Sequence, residues 1–204
     1  MADELMIRLG VFLGLFGLFA LAEALAPRRA RAVPRRPRWL TNWAMVLLDT
    51  LALRLLAIAL PLLAVGAAMD AAQLGVGLFH RVGTPYWLGL ILSVLLFDLA
   101  IWTQHLVTHK VPLFWRFHRV HHADRDLDVT TAIRFHPVEI AASMLVKIGL
   151  VYLIGPAPAA VVLFEVLLNG TALFSHANLR LPGALDRWLR LVLVTPDMHR
   201  VHHS

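Results

Sequence analysis

The sequence predicts an all-α integral membrane bundle: four or five transmembrane helices with a histidine-rich helical cap on the cytoplasmic side. Three observations carry this reading. Hydrophobic residues make up 59% of the 204 residues and charged residues only 16%. Soluble domains run to about 45–50% apolar and about 25% charged, so an ordinary soluble enzyme and a disordered chain are both excluded. Apolar runs of membrane-spanning length recur along the chain. The positive charge (net +6 at pH 7) is concentrated beside the first of them.

The first run is Leu5–Leu25, interrupted by Arg8 and Glu23. Its 21 residues would span about 31 Å as a helix, enough for a hydrocarbon core. Residues 28–38 follow and hold six arginines. A cleaved signal peptide carries its basic residues before the apolar run, not after it. An uncleaved anchor is therefore expected, with the N-terminus outside and residues 28–38 as a cytoplasmic flank beside anionic lipid. Nucleic acid, the other partner a basic run suggests, is not expected.

The second run, about Ala44–Met69, is preceded by Trp39 and Trp43 as interfacial aromatics, and a kink is expected at Pro61. Asp49 and Arg54 within it are expected to snorkel or to pair with each other. Residues 70–85 form a short outer connection in which His80 stands alone as an interfacial residue. Tyr86–Leu106 returns the chain to the inside. A polar stretch, His109 to about Pro137, leads to Val138–Ile154 and Ala157–Phe174, a helical hairpin punctuated by Gly155-Pro156-Ala157-Pro158. Ser175–Ser204 is expected at the inner face. The reading divides the chain into residues 1–85, membrane helices and the basic loop, and residues 86–204, a catalytic domain.

The chain has no cysteine and 11 histidines. Disulfides, Cys-ligated zinc, iron–sulfur clusters and thiolate haem are excluded. His105 and His109, four residues apart, share one helix face. His118-Arg-Val-His121-His122 places three imidazoles on one face if helical. The same five residues recur as His199-Arg-Val-His202-His203. With His176 these clusters hold nine imidazoles, too many for one zinc or iron ion and enough for two. The predicted topology puts all of them on one side of the membrane. A liganding ring gives its other N–H to a carboxylate or carbonyl. Asp98, seven residues before His105, is the natural partner. Asp124, Asp126, Asp128, Glu139 and Asp197 are further candidates. His136, followed by Pro137, either supports the site or orders its loop.

These residues are similar to the fatty acid hydroxylase/sterol desaturase superfamily of membrane-bound oxygenases. The resemblance runs over Asp98-x-x-x-Trp102-x-x-His105-x-x-x-His109, His118-Arg-Val-His121-His122, and Thr131-Ala-Ile-Arg134-Phe-His136-Pro137-x-Glu139. It continues through Asn169, Phe174-Ser-His176-Ala-Asn178-Leu and Thr195-Pro196-x-x-His199-Arg-Val-His202-His203. Trp102 stands where many members have tyrosine. The resemblance implies O₂-dependent hydroxylation or desaturation of a membrane lipid at a di-iron centre. The two irons would be held by His105, His109, His118, His121, His122, His176, His199, His202 and His203, with Asp98 and His136 around them. It also implies a separate electron-donor protein, since no flavin or dinucleotide fingerprint is present. Members continue beyond the last histidine box, so the chain is expected to be truncated at its C-terminus. The Ala-, Leu- and Arg-rich composition points to a bacterial inner membrane.

Two other classes compete. A metal transporter would place its site near the bilayer midplane, whereas these histidines gather at helix ends. A membrane zinc hydrolase would need one ion, and nine imidazoles would be surplus.

Overall fold

Apolar length turns into helix throughout. The computed structural model describes residues 2–60 and 63–204, residues 2–5 by their backbone alone. The long helices are α1 (Ala2–Leu25), α2 (Arg35–Ala59), α5 (Tyr86–Lys110), α7 (Pro137–Ile154) and α8 (Pro158–His176). Shorter ones are α3 (Ala64–Leu74), α4 (Leu78–Arg81), α6 (Pro112–His122), α9 (Gly183–Leu189) and α10 (Pro196–His202), with a 3-10 turn at Val129–Ile133. Five stretches are long and apolar enough to cross a membrane: Met6–Leu25, Arg35–Arg81, Tyr86–Lys110, Pro137–Ile154 and Pro158–His176. The chain is an all-α membrane bundle; among the described residues no strand forms, and one isolated bridge joins Pro27 to Leu179.

Two compact units make up the chain. The first comprises Met1–Val46, Val120–Arg134 and Val166–Ser204. Its core packs Val129, Ala132 and Leu173 against Phe12, Leu15, Phe16, Phe19 and Trp39. Helix α2 starts at Arg35, nine residues before the expected Ala44. Pro37 sits in its first turn, where a missing N–H leaves no helical bond unmade. Trp39 and Trp43, one turn apart, both pack edge-on to Phe16, with ring centroids 5.9 and 5.4 Å away. They are packing residues within the helix rather than a belt ahead of it. Arg35, Arg38 and Asn42 fall at i, i+3 and i+7 and form a polar stripe along the same helix.

The second unit comprises Leu47–Arg119 and Phe135–Glu165. Its small residues permit close approach. Ala64, Ala67, Ala68 and Ala71 are buried along α3, which packs against α7, the small-residue packing typical of membrane helices. Gly77 and Gly155 meet backbone to backbone: a Cβ on Gly77 would lie 2.3 Å from the Gly155 nitrogen. Gly155 also ends α7 in the left-handed region, at φ 68°. Phe97 and Phe164 stack at 5.1 Å. Lys147 donates to Glu165 at 2.8 Å, and Tyr152 to Asp70 at 2.7 Å. The Lys147–Glu165 pair keeps two largely buried charges partnered between apolar helices.

Three expectations change here. The second apolar run is not one helix: α2 ends at Ala59 and α3 begins at Ala64, and the kink expected at Pro61 lies outside the described residues. Of the two outcomes expected for Asp49 and Arg54, pairing does not occur. Asp49 is buried and Arg54 exposed, because five residues turn a helix by about 140°. Helix α5 runs on to Lys110, so His105 and His109 share one unbroken helix.

Candidate metal centre

In the second unit, helix α5 brings His105 and His109 together in its last two turns. Helix α6 adds His118. The three rings lie 4.7–4.8 Å apart, centroid to centroid. Each offers a ligand atom within 4.8 Å of the others. His118 is fully buried, and its Nδ1 lies 2.7 Å from Glu139 Oε1 in the first turn of α7. A carboxylate accepts, so Nδ1 carries the proton and Nε2 is left as the ligand atom.

Among the carboxylates named from the sequence, Glu139 is the partner of His118. Asp98 is exposed on α5. Two helical turns, about 10 Å of rise, separate it from His105, beyond hydrogen-bond reach along one helix. His136 serves as a cap. Its Nδ1 accepts from the Val138 N–H at 3.1 Å, and its ring packs on Phe117. It therefore starts the helix that carries Glu139. His80 is exposed and belongs to none of the histidine groups.

In the first unit, α6 contributes His121 and His122, α8 ends on His176, and α10 with its cap supplies His199, His202 and His203. Two groups form, one of His121, His176, His199 and His203, the other of His122, His202 and His203. In the first group, His121 Nδ1 lies 3.1 Å from the Arg134 carbonyl, and His176 Nδ1 lies 2.7 Å from the Ala172 carbonyl. Carbonyls only accept, so both Nδ1 atoms donate. In the neutral rings, both Nε2 atoms then present lone pairs, and these face each other at 3.0 Å. Further Nε2 pairs lie at 2.9 Å (His176–His199) and 3.1 Å (His199–His203).

Two acceptor nitrogens repel at that distance unless a cation lies between them. At metal–nitrogen bonds of 2.0–2.1 Å, neighbouring ligand nitrogens sit about 2.8–3.0 Å apart at 90° and about 3.3–3.4 Å apart at the tetrahedral angle. The spacings match the cis edges of one coordination sphere. The donor set of neutral imidazoles suits iron, zinc, copper and nickel, and on this ground the residues fit a metal.

A buried network, not anticipated from the sequence, holds this group in place. Arg38 of α2 donates through Nε and Nη2 to the two oxygens of Asp124, at 2.6 and 2.8 Å, and through Nη1 to Asp128 at 2.7 Å. Its Nη2 also contacts the Asp126 carbonyl. Asn42 donates to Asp124 at 3.0 Å and Thr130 at 2.8 Å, and accepts from Arg134 Nη1 at 2.9 Å. Arg134 closes the circuit: its Nε donates to the Val120 carbonyl at 2.8 Å while its own carbonyl orients His121. Burial pushes the Asp124 carboxyl up, but hydrogen bonds from Arg38, Asn42 and Thr131 outweigh it and hold it below the usual aspartate range.

Glu23 does the same for α1. Fully buried, it accepts from the Val129 and Asn178 N–H groups at 3.1 and 3.0 Å and from Arg35 at 2.8 Å, with Arg31 at 3.7 Å. Arg28 pairs with Asp197 of α10 at 3.0 Å. Four of the six arginines in residues 28–38 are thus engaged by carboxylates of this chain instead of by lipid alone. The one advance signal was charge complementarity between the arginine run and Asp124-Arg-Asp126-Leu-Asp128.

The sequence profile described as fatty acid hydroxylase matches residues 90–204. The chain is 32% identical over 126 residues to the ornithine lipid hydroxylase OlsE of Rhizobium tropici, covering 59% of this chain and 35% of that protein. It is 32% identical over 118 residues to alkylglycerol monooxygenase of Homo sapiens, covering 58% and 25%. The Danio rerio alkylglycerol monooxygenase is 31% identical over 133 residues, covering 62% and 28%. The matched region thus spans about a third or less of the length of these relatives. No solved structure matches the chain.

Proposed function

Because the chain belongs to the fatty acid hydroxylase family, we propose that it is a membrane-bound oxygenase that hydroxylates a C–H bond of a membrane lipid at a di-iron centre. The ligands are His105, His109, His118, His121, His122, His176, His199, His202 and His203. The observation that carries the reading is the all-imidazole group in which the acceptor nitrogens of His121 and His176 face each other at 3.0 Å, with further Nε2 pairs at 2.9 and 3.1 Å. Two iron ions, when bound, would supply O₂ activation, for which zinc has no electrons to give. The balance is R–H + O₂ + 2 electrons + 2 protons giving R–OH + water, and the electrons come from a separate donor protein. Relatives that bear the names hydroxylase and monooxygenase support oxygen insertion over desaturation.

The chain's own groups prepare the site. Glu139 keeps the His118 proton on Nδ1, and the Arg134 and Ala172 carbonyls do the same for His121 and His176. Every Nε2 in question is thereby available to metal without a change of tautomer. The candidate ligands sit in the last turns of α5, at the end of α8 and on the short helices α6 and α10, which suits a lipid presented at the membrane boundary. We place that boundary at the cytoplasmic face of a bacterial inner membrane.

The test combines metal analysis of the purified protein with lipidomics of cells carrying the gene or its His121→Ala form. Iron near two equivalents and an O₂-dependent lipid product lost in His121→Ala are expected. Zinc at one equivalent with anaerobic ester turnover would replace this reading with hydrolysis. Metal uptake into vesicles that depends on His105 and His109 would replace it with transport.

A further inference from the structure

Among the described residues outside the long apolar helices, the stretch Leu185–Val194 holds a run of hydrophobic side chains exposed as fully as those of a lipid-facing helix. Between Leu185 and Val194, Trp188 is 71% exposed, Leu191 73% and Val192 84%, with Leu185 and Val194 near half. Leu47 and Ile58 of the apolar helix α2 stand at 72% and 80%. A water-facing loop does not sustain a continuous apolar patch of this kind; such a patch marks an interaction surface.

Two further observations say what covers it. The first is where the segment is rooted. The Arg180 N–H donates to the Ala26 carbonyl and the Arg28 N–H to the Asn178 carbonyl, both at 3.0 Å. Ala26 is the first residue beyond α1, so the segment begins at the level where a membrane-crossing stretch ends. The second is charge. Arg180, Arg187 and Arg190 are exposed around the apolar residues. Asp186 is the one acid between residues 179 and 196, and Arg190 engages it at 2.7 Å. An apolar centre with a tryptophan and a cationic rim is the pattern of an element lying in the plane of an anionic lipid surface.

We propose that residues 185–194 form an in-plane membrane anchor, seated at the boundary between headgroups and acyl chains of an anionic leaflet. Its purpose follows from what comes next. Thr195 and Pro196 are buried and start α10, and His199 lies five residues beyond Val194. The anchor fixes the depth of α10 and holds its histidines at the level from which lipid is drawn. This inference stands whether or not the histidines hold iron.

The absence of native cysteine makes the test direct. Leu191→Cys and Val192→Cys, each carrying a nitroxide label, are reconstituted as the full chain in nanodiscs of phosphatidylcholine with one quarter phosphatidylglycerol. Accessibility to O₂ and to a water-soluble nickel chelate is measured by electron paramagnetic resonance. Leu47→Cys serves as the lipid-facing reference and Arg125→Cys as the water-facing one. O₂ accessibility exceeding nickel accessibility at both sites, at a depth between the two references, is expected. Nickel-dominated labels would place the segment in water and overturn the proposal. Labels shielded from both reagents would mean that protein covers the patch, and would overturn it equally. As an independent measurement, brominated acyl chains should quench the fluorescence contributed by Trp188, identified by subtraction of Trp188→Phe; no difference in quenching counts against the anchor. Arg187→Gln with Arg190→Gln should move the labels outward in phosphatidylglycerol discs. Equal depth with and without the arginines would overturn the anionic-lipid part.

Discussion

Replacing Arg38 by methionine removes the centre of the buried network while keeping the length of the side chain. Arg38 is 7% exposed, and the carboxylates it serves, Asp124 and Asp128, are 2% and 1% exposed. Breaking a buried pair by removing one partner costs about 3–5 kcal/mol, because a charge is left unpaired away from water. Here two carboxylates and the Asp126 carbonyl lose one donor group together. Against a total stability of about 5–15 kcal/mol, that is a large fraction. At about 2–4 °C per kcal/mol for a chain of this size, the helical unfolding midpoint in mixed micelles should fall by roughly 6–20 °C. The control is Arg28→Met, whose pair with Asp197 is 43% and 34% exposed and so is worth about 0–1 kcal/mol. Adding Asp124→Asn and Asp128→Asn to Arg38→Met should recover more than half of the loss. Circular dichroism melts of the purified proteins read all of this. An Arg38→Met midpoint within about 2 °C of the Arg28→Met midpoint would refute the argument.

Other outcomes follow from single contacts. Glu139→Gln leaves a weaker, neutral acceptor for His118 Nδ1, and metal affinity should drop by about 10–100-fold in a competition titration; unchanged affinity would remove Glu139 from the site. His136→Ala should lower stability by about 0.5–2 kcal/mol through the lost helix cap, with His136→Asn restoring most of it and metal stoichiometry unchanged in both. A methyl on Gly155 would meet the Val76 carbonyl at 2.7 Å in a left-handed conformation, so Gly155→Ala should destabilise by more than about 1 kcal/mol. Gly149, with nothing within 4 Å of an added Cβ, offers the contrast: Gly149→Ala in mid-helix should raise the midpoint by about 0.5–1 kcal/mol equivalent.

What the sequence made legible is what depends on neighbours along the chain. Helix lengths followed from apolar runs. The pairing of His105 with His109 followed from helical period; His118, His121 and His122 do lie on one helix, but His118 groups with His105 and His109, whereas His121 and His122 group with histidines of α8 and α10. The start of α2 did not follow from period, because what makes Arg35–Trp43 helical is long-range: Phe16 under the tryptophans and Asp124 and Asp128 on Arg38, about 90 residues away. The same limit applies to the carboxylate beside His118. Helical phase places Asp98 on the His105 stripe, but phase carries no information about which other helix packs beside the histidines, and it is α7 that delivers Glu139 to His118. The exposed face of residues 185–194 was equally hidden, since composition alone made that stretch merely less apolar than the helices before it.

The ion pairs of residues 28–38 give the same arginines two successive tasks. While the chain enters the bilayer no fold exists, and the unpaired guanidinium groups resist transfer and so help to decide which way α1 points. Once folded, Arg28, Arg31, Arg35 and Arg38 are taken up by Asp197, Glu23, Asp124 and Asp128. A signal read during biogenesis is afterwards consumed as mortar. Neutralising any of the four would therefore remove both a positive charge beside α1 and one of the pairs that hold the folded chain together.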